Sequence, residues 1–160
     1  SKNDIMETGS IFHSHIHNQK DMNKRVTQYS AIVSNNLVFF LFNTHFSYDE
    51  MNLRSNIGEV MSYTDRFAGY PMILLGDMNA TPNNENIHKL TMQGFIDIWN
   101  KLNPKNDGFS YPSKEPIKRI DFCWANEAIA NEIKEIKLIG NKPNKDGIYP
   151  SDHLGLVIEI

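Results

Sequence analysis

The sequence is poor in the features that mark several large classes of protein. It holds a single cysteine, Cys123, set in an apolar run, so no internal disulfide can form and a reducing, intracellular setting is favoured. The same apolar surroundings raise a thiol's pKa, which argues against a cysteine nucleophile. No apolar run reaches the length that spans a bilayer, and the opening Ser1-Lys2-Asn3-Asp4 is no secretory signal. Because the chain starts without a methionine, it reads as a processed or truncated product, for which a missing signal says little. Excess charge is lacking too: a net charge of -3 and a pI near 6.0 argue against a protein that coats nucleic acid non-specifically, while leaving room for a local basic patch. No Gly-x-Ser-x-Gly elbow is present. No repeat, linker or low-complexity block divides the chain.

What is present suits one domain over residues 1–160, since 160 residues with 40% hydrophobic content can bury a core. Residues 1–24 are polar and aperiodic and are expected to be loosely ordered. They carry His13, His15 and His17 on alternate positions, a run that can bind zinc or copper but supplies no carboxylate or thiolate. A solvated loop or strand end is the expectation there.

Beyond this segment, Tyr29–Ser34 and Leu37–Phe46 read as a hairpin turned at Asn35-Asn36. The second strand is apolar on both faces through Leu37-Val38-Phe39-Phe40-Leu41-Phe42, which predicts a central, doubly covered strand. It ends in Asn43-Thr44-His45. Ser47 and Glu50 have capping-box spacing, and a helix is predicted to about Ala68, with Leu53, Ile57, Val60, Met61, Thr64 and Phe67 on one stripe and Gly69 as the stop. Arg54, in its first turn, is expected to be a salt-bridging surface group. A strand over Met72–Leu75 then runs into Gly76-Asp77-Met78-Asn79, and this strand, helix, strand succession predicts an α/β layered fold.

Asn83 or Asn84 can cap a short helix through Met92, and Asp97 is expected to cap a helix or lie on the surface. Residues 103–118 form a long irregular loop whose Phe109, Tyr111 and Lys114 are expected to line a substrate pocket, with aromatic stacking for a base or ring. The strand beginning Arg119-Ile120-Asp121-Phe122 places Asp121 where facing a core would be costly, so it should face the polar edge that holds Asp77. A short helix or turn, two further strands and Ser151-Asp152-His153 complete the chain.

Four polar clusters at strand ends therefore recur in one small domain: His45, Asp77 with Asn79, Asp121, and Asp152 with His153. Carboxylates hold a divalent cation and orient water, imidazoles accept protons or bind phosphoryl oxygens, and an amide positions substrate without adding charge. That set fits phosphate ester hydrolysis.

The order Asn43-Thr44-His45, Gly76-Asp77-Met78-Asn79, Arg119-Ile120-Asp121-Phe122 and Ser151-Asp152-His153 resembles the endonuclease/exonuclease/phosphatase superfamily over about residues 25–160. The resemblance implies a layered α/β sandwich of mainly antiparallel or mixed sheets flanked by helices, incomplete relative to the full family domain. It also implies a magnesium-dependent phosphoesterase, with manganese as a substitute and a phosphate ester as substrate, nucleic acid included. By resemblance, Asp77 orients or deprotonates the attacking water, Asn79 binds the scissile phosphate, and His153 contacts that phosphate or acts as base with its ring fixed by Asp121. Asp152 binds or places the metal, and His45 stabilises charge on the phosphoryl oxygens. Two earlier family motifs, an asparagine and a metal-binding glutamate, are not found, and Glu7 lacks the preceding strand that would qualify it. A catalytically inactive binding or scaffold fragment is the alternative. The sequence sets neither the substrate nor the oligomeric state.

Overall fold

In the computed structural model, which describes residues 4–16, 20–34 and 37–160, the apolar run in the first third of the chain becomes an inner strand that contributes to a core on each face, with only Val38 of the run exposed. Strands β1 (Asp4–Phe12), β2 (Val26–Ser34), β3 (Leu37–His45), β4 (Met72–Asp77), β5 (Phe95–Asp97) and β6 (Asp121–Asn126) form a six-stranded sheet in the order β1-β2-β3-β4-β6-β5. Among the described residues only β3 and β4 pair in parallel, joined across α1 (Glu50–Thr64). Strands β7 (Glu135–Ile139) and β8 (Gly155–Glu159) make a separate antiparallel pair. Helices α2 (Glu85–Met92), α3 (Ile98–Leu102) and α4 (Glu127–Ala130) complete the mixed α/β architecture.

Alternation along the central strands sends successive side chains to opposite faces. Tyr29, Ala31, Phe40, Phe42, Met72, Leu74, Phe122 and Trp124 form one core with Leu53, Ile57 and Val60 of α1 and Ile87 and Leu90 of α2. Phe39, Ile73, Cys123 and Ala125 form the other, against Ile98 and Trp99 of α3, Ile129 and Ala130 of α4, and Ile136 of β7. The second face is less completely covered, with Ile32, Leu37, Leu41 and Leu75 only partly buried. Among the described residues, no helix is long and apolar enough to cross a membrane.

Several local expectations need correction. Residues 4–12 form an edge strand, in which β1 pairs with β2 from Asp4↔Val33 to Phe12↔Val26 and the side chains are mostly exposed. Helix α1 is capped by Asp49, whose carboxylate accepts from Met51 N and Asn52 N, and not by Ser47. Ser47 instead donates its hydroxyl to Asp21 at 2.9 Å. The helix ends at Thr64 and continues as a 3-10 turn over Asp65–Phe67. Its buried face also includes Asn52 and Asn56, which accept from Ile16 N and Ser47 N and so tie flanking loops to the helix. Arg54 is exposed, without an ion pair among the described residues. Asn84 caps α2 and Asp97 caps α3, as the sequence suggests. The turn Asn35-Asn36 and His17 lie outside the described residues.

His13 is buried rather than solvated. Its Nδ1 lies 2.8 Å from Glu59 Oε2 and its Nε2 lies 2.8 Å from Thr27 Oγ1, and Thr27 is bonded in turn to Thr44. Burial holds its pKa below the ordinary histidine value, against the opposing pull of Glu59. His15 bonds the Asp21 carbonyl, so these two histidines help to pin the segment between β1 and β2.

Candidate active site

Strand register assembles the site. His45 at the end of β3 pairs with Asp77 at the end of β4, and Asp77 pairs with Asp121 at the start of β6. Three polar residues thus stand side by side at the edge where three buried strands end or begin, as α/β sheets place ligands. The turn after Asp77 needs unusual backbone. Gly76 has φ +137°, and a Cβ there would run into the Thr44 carbonyl oxygen, so only glycine lets β4 approach β3 this closely. Asn79 adopts φ 49°, left-handed backbone that asparagine tolerates, while its N–H donates to Asp77 Oδ1 at 2.7 Å and its Nδ2 donates to the Phe46 carbonyl at 2.9 Å.

His153 sits between the two carboxylates. Its Nδ1 lies 2.9 Å from Asp121 Oδ2, and its Nε2 lies 3.9 Å from Asp77 Oδ2. His45 Nε2 approaches the same Asp77 oxygen at 3.2 Å. Ser110, which sequence reasoning missed, donates its hydroxyl to Asp121 Oδ2 at 2.6 Å and fixes the carboxylate that fixes the ring. Tyr111 leans on the His153 ring, with centroids 4.8 Å apart.

The electrostatics follow from this crowding. Burial, reinforced by the Asp121 charge, raises the Asp77 pKa, although the Asn79 N–H and the two imidazoles oppose the rise. For His153, burial works against the charged ring, but the hydrogen bond and charge of Asp121, with Asp77 and Asp152, outweigh it and raise its pKa. Asp77, Asp121 and His153 each offer a ligand atom, all within 4.8 Å of one another. Two carboxylates whose mutual repulsion is incompletely offset, beside an imidazole, suit a hard divalent cation.

Asp77, His153 and His45 line a cleft of about 720 Å³, which also takes in Asn79, Asp152, Tyr111 and Lys118, while Asp121 stands behind His153 and outside its lining. Asp152 is exposed at the cleft and lies outside the three-residue cluster. Phe109 does not line this cleft. It lies in a neighbouring depression of about 390 Å³ with Trp99 and Ile117, joined to the cleft at Thr81 and Lys118. Lys114 is exposed and lines neither. Glu7 is on β1, accepting from the Tyr29 hydroxyl, and does not line the cleft. Asn23, Arg25 and Tyr48 do line it, and the sequence carried no signal for them beyond their place beside the strand that ends in His45.

The model of the Endonuclease/Exonuclease/phosphatase family matches residues 14–153. No curated protein matches the chain in sequence. Solved structures do match. One is a functionally unknown conserved protein from Enterococcus faecalis V583, with TM-score 0.79 and 22% identity over 99% of this chain and 66% of that one. A mannosyl-6-phosphatase from Bacteroides thetaiotaomicron matches with TM-score 0.79 and 17% identity over 99% of this chain and 67% of that one. TDP2 from D. rerio, complexed with a single-strand DNA product, matches with TM-score 0.72 and 16% identity over 96% of this chain and 66% of that one. The chain therefore spans about two thirds of the length of each structure.

Proposed function

The chain belongs to the endonuclease/exonuclease/phosphatase family, and from that premise we propose that it hydrolyses phosphate esters with a divalent cation, magnesium or manganese. The observation that carries this reading is the cluster of Asp77, Asp121 and His153, three ligand atoms within 4.8 Å of one another, two of whose residues, Asp77 and His153, line an open cleft. The donor set fits the ion through its oxygens: carboxylate oxygens are its preferred ligands, a pair of close carboxylates is stabilised by positive charge between them, and the His153 ring beside them is left for the phosphate. Asp152 at the same cleft would add an oxygen or place one of the ion's waters. When bound, the cation supplies charge neutralisation at the phosphoryl oxygens.

The chain's own residues do the rest. Asp77 orients the attacking water and takes its proton, a role that suits a carboxylate whose pKa is raised. Attack is in line with the leaving oxygen. Asn79 hydrogen-bonds the scissile phosphate without adding charge. Asp121 fixes His153 through Nδ1, so Nε2 is the nitrogen left to contact the phosphate or exchange a proton with it. His45, with its side chain 59% exposed, stabilises charge on the phosphoryl oxygens. Tyr111 in the cleft and Phe109 in the next depression offer ring faces to the leaving group.

The matched structures include a phosphatase and a protein holding a DNA product, which supports the phosphoester class and not one member of it. The test is hydrolysis by the full-length protein, read as phosphate release from phosphomonoesters and as alcohol release from phosphodiesters, with magnesium and with a chelator, in wild type and Asp77→Asn. Cation-dependent release that falls at least a hundredfold in the variant is expected, on the scale of one lost general base. Chelator-insensitive release, or near-full activity of the variant, would count against the reading.

A further inference from the structure

The cleft is far larger than a phosphate needs, and part of its wall comes from the segment leading into β2. That segment is organised around Asp21, which is fully buried. Its Oδ2 accepts from Arg25 Nε at 2.9 Å, Arg25 Nη2 at 2.7 Å and Ser47 Oγ at 2.9 Å, and its Oδ1 accepts from Asn23 N at 3.0 Å and Asn23 Nδ2 at 2.9 Å. A carboxylate committed to five hydrogen bonds does no chemistry itself, but two of its partners, Asn23 and Arg25, line the cleft.

What those partners leave over is specific. Arg25 has a side chain 10% exposed, and its Nη1 has no hydrogen-bond partner among the described residues. Asn23 gives one amide N–H to Asp21, and its Oδ1, which has no hydrogen-bond partner among the described residues, remains an acceptor. The guanidinium carbon lies 5.9 Å from the centroid of the Tyr48 ring, which also lines the cleft. One wall thus presents a fixed donor, a fixed acceptor and an aromatic face, and Asp21 balances the charge of Arg25. A second phosphate would meet a cation already neutralised by Asp21. A hydroxyl group both accepts and donates, and an aromatic ring packs well against the C–H face of a sugar.

We propose that Asn23, Arg25 and Tyr48, held by Asp21, form a hydroxyl-binding subsite for the sugar or polyol that carries the scissile phosphate. This rests on the phosphoesterase reading and names the part of the substrate that reading leaves open. Buried polar groups that lose their partner discriminate strongly against an analogue without the hydroxyls.

The test compares kcat/KM of the full-length protein for a hexose 6-phosphate and for n-hexyl phosphate, in wild type, Arg25→Lys and Asn23→Ala. Arg25→Lys keeps a cation beside Asp21 while removing Nη1, and Asn23→Ala removes the acceptor with little effect on the ion pair. Each variant should lose about tenfold or more of the wild-type preference for the sugar ester, the scale of one hydrogen bond to a charged donor or fixed acceptor. A preference unchanged in both variants, or a wild type that prefers hexose bisphosphates through Arg25, would overturn the proposal. Calorimetric titration with the hexose 6-phosphate separates the two readings. Binding at least tenfold weaker in Arg25→Lys supports the subsite even without phosphate release, and equal affinities overturn it.

Discussion

Replacing Asp21 by asparagine should destabilise the protein at neutral pH and flatten its response to acid. Burial alone would raise this carboxyl, but the Asn23 N–H, the Arg25 guanidinium, the Ser47 hydroxyl and the Asn23 amide together hold its pKa down from 3.8 to about 2. A depressed folded-state pKa means that ionised Asp21 stabilises the fold above the unfolded value of 3.8, and that this stabilisation disappears as pH falls toward about 2. At roughly 1.4 kcal/mol per pH unit, the interval corresponds to roughly 2 to 3 kcal/mol. Asp21→Asn removes that term and also leaves the Arg25 guanidinium nearly buried without its counter-charge, so a loss of about 3 kcal/mol or more is expected at pH 7. Urea unfolding of both proteins from pH 7 to pH 3, followed by circular dichroism, reads the difference directly. The gap between them should narrow below pH 4. Asp77 acts with the opposite sign, because its raised pKa makes the fold lose stability as pH rises through that value, but it is present in both proteins and cancels. A gap independent of pH would refute the reasoning.

Two further outcomes follow from the strand ends and the core. Gly76→Ala would force a Cβ onto the Thr44 carbonyl at left-handed backbone, at a cost of roughly 2 to 4 kcal/mol; a melting temperature equal to wild type would show that the backbone relaxes freely there. Cys123 is buried and its thiol is pushed up to about 12 by burial and the nearby Asp97 charge, so a thiol reagent should label the native protein far more slowly than the urea-unfolded one, and equal rates would contradict this.

The parts legible in the sequence share a physical cause. Leu37–Phe42 and Ile73–Leu75 are apolar at every position, which suits inner strands of a sheet even with Val38 left exposed, and the polar residues that end such runs emerge at the sheet's edge. That is why His45, Asp77 and Asp121 were recognisable before their register was known. What could not be read depends on partners distant in sequence. His13 looks solvated among polar neighbours, yet Glu59 and Thr27 satisfy both ring nitrogens and permit its burial. Ser47 has the spacing of a helix cap, but Asp21 claims its hydroxyl and Asp49 takes the capping role. Strand β1 carries no alternation because one exposed edge needs none. Asp21 and Arg25 form their pair across a segment with no periodic pattern at all.

The central claim is that the edge where β3, β4 and β6 meet hydrolyses a phosphate ester, with Asp77 activating the water. Its most direct measurement is the single-turnover rate of Asp77→Asn against wild type, at saturating magnesium, in full-length protein shown to be folded by circular dichroism. The rate should fall at least a hundredfold with melting temperature held or raised, since ionised Asp77 is disfavoured by its own burial. A folded variant turning over within threefold of wild type would contradict the claim.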